Sequence, residues 1–281
     1  MKALSFKIPK TTTDALIVQE DRGATFYDAF HQHEEIQISW VISGEGSLIV
    51  GDTVSSYQPN DIFIFGSNVP HVLKSSSIAS HSHMISLFFT RTSFGDDFFD
   101  LSEFDEVRSF FDLFPFGIRV LSEKENLKKM FLDIKNEPNK LERLLIFLQM
   151  LKTLSQTRKE TISSSLLKKK YSDNEGKRMA QVFQLVMNEF YRDITLEEVA
   201  KKANMTKNAF CRYFKKRTNK TFFEFLTEIR IENSCLLLSK EPDISIAEAS
   251  YKSGFKNLSH FNRKFKKIKK NTPTEFRKKL W

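Results

Sequence analysis

Three histidines and a glutamine near the start of the chain carry side chains that could do chemistry. His31 and His33 occupy alternate positions, Gln37 follows, and His71 comes directly after Pro70. Neutral imidazole is both a hydrogen-bonding group and a ligand for the later transition metals. Three of them could bind a metal, line a pocket that hydrogen-bonds a small polar effector, or serve as satisfied core or surface groups. The carboxamide of Gln37 is a poor ligand for a divalent ion. All three readings stay open, and the expectation carried forward is an effector-binding set of His31, His33, Gln37 and His71, with no metal and no cofactor assigned. Trp40 and the many phenylalanines read as core. No nucleophile with a partnered base, phosphate-cradling glycine loop or clustered carboxylate motif emerges, so no enzymatic activity is expected. Cys211 and Cys235 are too few for a disulfide framework or a four-ligand zinc cage and read as reduced thiols.

A second group of residues is suited to gripping a polyanion. The chain has 281 residues and a net charge of +9, but the charge is unevenly divided. Residues 176–281 carry 24 Lys and Arg against 11 Asp and Glu, whereas residues 1–95 carry 6 against 9. So sharp an asymmetry points to nucleic acid or a membrane surface as partner. No apolar run is long enough to span a membrane, and the first residues lack the apolar stretch and cleavage site of a signal peptide. A soluble, cytoplasmic protein is expected.

The elements that must position these residues follow from periodicity. Short apolar stretches at Ile36 to Ile42, Ser47 to Val50, Asp61 to Phe65 and Met84 to Phe89 read as strands. Gly44-Glu45-Gly46 and Gly51-Asp52 read as hairpin turns, and the whole as a barrel or sandwich over residues 1–95. From about Glu123 the period becomes helical, within a helical connector and dimerisation region placed at 96–160. Leu127, Met130, Phe131 and Ile134 fit one amphipathic helix; after Pro138, a stripe runs through Leu141, Leu144, Leu145, Leu148, Leu151 and Leu154. That stripe suits intramolecular core or a dimer interface. Thr157 to Gly176 reads as a linker, placed at 161–176, before a helical domain at 177–281.

Within that last third the sequence repeats itself. Ile194 to Val199 lies over Ile244 to Ala249 at an offset of 50, and Phe210, Arg212, Phe214, Lys215 and Lys216 lie over Phe261, Arg263, Phe265, Lys266 and Lys267 at an offset of 51. Thr221, Glu224 and Phe225 likewise match Thr272, Glu275 and Phe276. Each copy reads as a helix-turn-helix, the first at about 195–217 and the second at about 245–267, joined by a continuous helix at about 222–238. Thr195 caps the first helix, with Glu198 completing a capping box, and Ser245 caps its counterpart. Asn204 and Gly254 take the turns, and Thr206 and Asn257 open the second helices. These helices bury Phe210, Phe214, Phe261 and Phe265 and turn outward Lys207, Asn208, Cys211, Arg212 and Lys215, then Leu258, Ser259, Asn262, Arg263 and Lys266; the expected DNA-contacting set is Thr206, Lys207, Asn208, Cys211, Arg212 and Lys216 with Asn257, Leu258, Ser259, Asn262, Arg263 and Lys267. Arg and Asn can read base edges in a major groove, while Lys neutralises phosphate. A rigid connector would hold the two units about one helical turn, roughly 34 Å, apart.

The stretch from Met179 to Leu280, including "ITLEEVAKKANMTKNAFCRYFKK" and "ISIAEASYKSGFKNLSHFNRKFKK", resembles the arabinose-regulator (AraC/XylS) family of bacterial transcription factors. Asn204, Asn219 and Asn271 stand where that family often has glycine or another small turn residue. The resemblance places base-contacting positions on Asn208, Cys211 and Arg212, then on Leu258, Ser259, Asn262 and Arg263. The first half resembles the cupin-like sensor common in the family. His31-x-His33, Gln37 and Gly44 have the spacing of the cupin metal motif, with glutamine where glutamate is usual, and His71 matches the later histidine. The implied fold is α+β and multidomain: a cupin-like β-barrel, a helical connector and an all-α domain with two helix-turn-helix units. The implied function is a homodimeric, sequence-specific transcription regulator that binds double-stranded DNA and a small polar effector, with RNA polymerase as a further candidate partner. The competing readings are a cupin-type metalloenzyme with a DNA-targeting tail and a non-specific basic architectural protein.

Overall fold

The computed structural model describes residues 14–76, 81–163 and 173–280. Nine strands precede the long helical segment: β1 (Ile17–Gly23), β2 (Ile36–Ser43), β3 (Gly46–Val50), β4 (Thr53–Tyr57), β5 (Ile62–Phe65), β6 (His71–Ser75), β7 (Ser82–Phe89), β8 (Ile118–Val120) and β9 (Lys159–Thr161). They form a six-stranded sheet in the order β1-β7-β2-β5-β8-β9 and a three-stranded sheet in the order β4-β3-β6. Among the described residues these sheets do not close into a barrel. The expected barrel is a sandwich of two open sheets, because β3 pairs only with β4 and β6 and neither of these outer strands forms a ladder with the larger sheet.

The two sheets are held together by period-two alternation. On β2, Val41 points into the inter-sheet core with Phe63, Phe65, Leu48, Val50 and Leu73. Its alternate residues Ile36, Ile38 and Trp40 face the opposite way, into a second core. That second core is closed by α1 (Asp105–Phe111), α2 (Lys124–Asn136) and α3 (Lys140–Gln156). Phe131 of α2 lies against Trp40, ring centroids 6.0 Å apart, and Phe147 of α3 packs edge-on to Phe89 at 4.9 Å. Residues 96–160 therefore share one core with the larger sheet, and each fully buried Phe, Leu or Ile there contributes about 1.5–3 kcal/mol.

The α3 stripe divides. Leu151 and Leu154 are buried beside Phe147 and Met150, whereas Leu141 and Leu145 are 62% and 51% exposed. Of the expected linker, Lys159–Thr161 is strand β9, residues 164–172 lie outside the described residues, and α4 begins at Asp173. No described helix is long and apolar enough to cross a membrane.

The remaining helices are α4 (Asp173–Glu189), α5 (Leu196–Lys202), α6 (Lys207–Thr218), α7 (Phe222–Lys240), α8 (Ile246–Lys252), α9 (Leu258–Lys269) and α10 (Pro273–Lys278). The pairs α5–α6 and α8–α9 occupy the two repeats, and α7 runs unbroken between them. The capping residues explain the boundaries. Thr195, Thr206, Ser245 and Asn257 each accept a backbone N–H of the first turn, satisfying a donor the helix itself cannot. Complete capping boxes form at Thr221–Glu224 and Thr272–Glu275. At Thr195 the box is only half made, because the Glu198 carboxylate turns to Arg192 instead.

Candidate nucleic-acid interface and histidine pocket

Each helix-turn-helix is a small core with a charged outer face. In α6 the Phe210 and Phe214 side chains are fully buried, and their rings meet at 5.5 Å. Spacing of four puts both on one side, so Lys207, Asn208, Cys211, Arg212, Lys215 and Lys216 fall on the other, where all are exposed. Helix α9 repeats this with Phe261 and Phe265 inside and Ser259, Asn262, Arg263, Lys266 and Lys267 exposed. Thr206 and Asn257 sit exposed at the two helix starts. Leu258 differs from expectation: it is half-buried against the core of the second unit, since its position leans back toward Phe255 and Phe261.

The turns depend on left-handed backbone. Asn204 has φ 52° and Gly254 has φ 87°, as the sequence suggests. A Cβ on Gly254 would lie 2.6 Å from the Phe190 carbonyl oxygen, so glycine is required there for space as well as for φ. At the ends of α6 and α9 the left-handed residues are Asn219, φ 54°, and Lys270, φ 63°, rather than Asn271. Lys270 is the counterpart of Asn219 at the repeat's own offset of 51.

Two surface features were not legible in the sequence. Arg230 of α7 donates from Nε to the Phe190 carbonyl and from a guanidinium nitrogen to the Arg192 carbonyl, each at 2.7 Å, tying the connector to the entry of the first unit. Lys256 pairs with Asp193 across the two units, and Lys207 pairs with Glu197 of α5. Arg230, Lys256, His260 and Arg263 line one cleft at the start of α9. Only the fold brings residues 193, 230 and 256 together.

The histidine set does converge. His31, His33 and His71 are all buried, with ring centroids 4.5–5.9 Å apart, and ligand-capable nitrogens from all three lie within 4.8 Å of one another. Strand β6 supplies His71, strand β2 supplies Gln37, and an isolated bridge between residues 31 and 71 brings in the other segment. Each ring's Nδ1 faces a backbone carbonyl, those of Ala29, Glu35 and Val69, at 2.8–2.9 Å. A carbonyl only accepts, so Nδ1 carries the proton and Nε2 presents a lone pair.

Burial removes the alternative of charging the rings. It lowers the pKa of His31 to about 4, lowers that of His33, and lowers that of His71 well below the ordinary value. The Gln37 amide lies 3.0 Å from His33 Nε2 and 3.1 Å from His71 Nε2. The structure sets Gln37 Oε1 there, with its Nε2 donating to the Ser39 hydroxyl at 2.7 Å; because two lone pairs call for a donor, we assign the amide the other way round, NH2 toward the imidazoles and oxygen accepting from Ser39. Glutamine is thus matched to two neutral histidines in a way that glutamate would not be. The three Nε2 atoms with carbonyl-anchored Nδ1 groups could also hold a divalent transition-metal ion. The cavity is about 60 Å³, bordered by Gln19, Asp21, Phe26, Tyr27 and Phe88 as well as the four expected residues. Those neighbours come from β1, β7 and the loop before His31, and no sequence spacing connects them.

Comparison with known proteins agrees with this arrangement in the last third of the chain. Residues 199–279 match the family model described as a helix-turn-helix domain. The uncharacterised HTH-type transcriptional regulator YdeC of Bacillus subtilis is 36% identical over 101 residues, covering 36% of this chain and 34% of YdeC. The Msm operon regulatory protein of Streptococcus mutans is 30% identical over 100 residues, 36% of each chain. The HTH-type transcriptional regulator MtrA of Neisseria gonorrhoeae is 29% identical over 104 residues, 37% of this chain and 34% of MtrA. The likeness thus spans about a third of the length of these relatives. The likeness is confined to the C-terminal third of the chain, where residues 199–279 are similar to a helix-turn-helix domain.

Proposed function

We propose that this chain is a sequence-specific, DNA-binding transcription regulator whose activity responds to a small polar effector at the histidine pocket. The observation that carries the reading is the duplicated unit: two helices, each with its phenylalanines inside and Arg, Asn and Lys outside, joined by one rigid helix. The twelve residues from Thr206 to Lys216 and Asn257 to Lys267 named above form the contact surface, with Arg212, Asn208, Asn262 and Arg263 reading bases and Lys216 and Lys267 gripping phosphate. Leu258, half-buried, contributes at most an edge to that surface. Relatives named as transcriptional regulators support the same role.

The effector is small or enters by displacing Tyr27, because a cavity of about 60 Å³ is far below the several hundred Å³ typical of larger ligands. We infer a homodimer through the exposed Leu141 and Leu145 of α3, with RNA polymerase as a further partner at promoters and the cytoplasm as the place of action. No enzymatic role is assigned. The domain plan that goes with this is a sensor at 1–95, a helical region at 96–160 that shares the sensor's core, and a DNA-binding domain at 177–281 whose first helix, α4, already begins at Asp173 within the expected linker of 161–176.

The test is DNA binding by the full chain to the region upstream of its own gene, at moderate salt. Arg212→Ala or Arg263→Ala should cost about 1–3 kcal/mol on the preferred site and relax base preference, while Lys216→Ala should weaken all sequences alike. Uniform affinity across sequences in the wild type would leave only an architectural role.

A further inference from the structure

The three-stranded sheet has two buried faces, and they meet different things. Leu48, Val50 and Leu73 point into the inter-sheet core, while the alternate residues Ile49, Val54 and Val72 join a cluster with Met179 and Phe183 of α4 and Phe225 of α7. The histidine pocket lies on the inner face and the DNA-binding domain on the outer one. Two pairs of adjacent residues span this plate. His71 lines the pocket and Val72 faces the helices; His31 lines the pocket and Phe30 packs edge-on to Phe183, centroids 4.5 Å apart.

Helix α7 is fastened to the same sheet at both of its ends. At its start, Asp52 in the β3–β4 turn accepts from the side-chain amide of Asn219 at 3.2 Å, and its backbone carbonyl accepts from Lys220 Nζ at 2.9 Å. Asp52 also accepts from Ser163 at 3.0 Å. At its far end, Lys240 pairs with Glu45 in the β2–β3 turn at 2.6 Å. Asn219 is the left-handed cap of reading helix α6, so one hydrogen bond joins the β-turn to the end of a reading helix. The docked arrangement leaves the outer faces of α6 and α9 exposed.

From these contacts we propose that the three-stranded sheet is an internal docking plate: Asp52 and Glu45 clamp the connector helix to it, and the clamp presets the two reading helices for DNA. Because the reading faces stay open, docking pre-organises them rather than covering them. Strain introduced at His31 or His71 reaches the helices through Phe30 and Val72. The effect on DNA rests on the function proposed above; the docking itself does not.

The experiment uses the full chain and the variants Asn219→Gly and Glu45→Gln. Glycine suits the left-handed position, so Asn219→Gly removes the amide while keeping the helix cap. Backbone hydrogen exchange is measured over residues 46–57 and 219–240, and DNA affinity is measured in parallel. The expected result is thermal stability close to wild type, exchange in both segments faster by threefold or more, and DNA affinity weakened about three- to tenfold. Unchanged exchange in both variants would overturn the clamp, whatever happens to DNA. Faster exchange with unchanged or tighter DNA binding would overturn the pre-organising role. Wild-type protein without sequence preference would count against the proposed function alone, leaving the exchange result to decide the docking.

Discussion

Acid should destabilise this protein through His31 in a way that one substitution removes. The ring is buried and neutral, with a pKa held at about 4 by loss of solvent, against an ordinary value of 6.5. In the unfolded chain it takes a proton as pH falls through 6.5, while the folded chain refuses one until near 4. Stability from this group is therefore complete above pH 6.5 and is lost as pH falls toward 4. The full gap corresponds to about 3 kcal/mol, and at pH 5 about 2 kcal/mol of it is already gone. His33 and His71 shift in the same direction and steepen the loss, with Glu35, 3.8 Å from His33, opposing it in part. The assay is urea unfolding at pH 7.5 and pH 5, followed by the fluorescence of Trp40, which is buried on β2, the strand that carries Gln37. His31→Gln keeps a donor for the Ala29 carbonyl and cannot titrate. Between those pH values it should lose about 2 kcal/mol less than wild type. Parallel curves for the two proteins would refute the argument that His31 is held neutral by burial.

Three further outcomes follow from local geometry. Lys270→Gly should stabilise the second unit by about 0.5–1 kcal/mol, seen as a higher Tm, because lysine at φ 63° bears a left-handed cost that glycine lacks. Gly254→Ala should cost about 2 kcal/mol or more in denaturant unfolding, since the added Cβ meets the Phe190 carbonyl at a left-handed position. Replacing Leu141 and Leu145 together by serine should leave folding intact, as both are exposed, and should convert a dimer to a monomer in analytical ultracentrifugation; an unchanged sedimentation coefficient would remove α3 as the interface.

The helical third was legible because its signals are local. Cap residues, phenylalanines four apart and a duplicated register fix helix ends and inward faces within a dozen residues, and no distant contact overrides them. The offset of 51 even locates the left-handed Lys270 beside the more obvious Asn271. Half-burial of Leu258 was missed because it depends on how α9 seats against Phe255.

The sequence by itself determined that two helix-turn-helix units exist and which side of each second helix is basic, while its likeness to the cupin motif suggested that three histidines and Gln37 share a site. The tertiary structure decided that the strands stack as two open sheets, that residues 96–160 share a core with one of them, and that the other stands between the pocket and the helix-turn-helix units. The reason is the range of the forces involved. Periodicity records only which side of an element is apolar, whereas the partner against which that side is buried is chosen by packing among segments as far apart as Phe30 and Phe183, or Asp52 and Asn219.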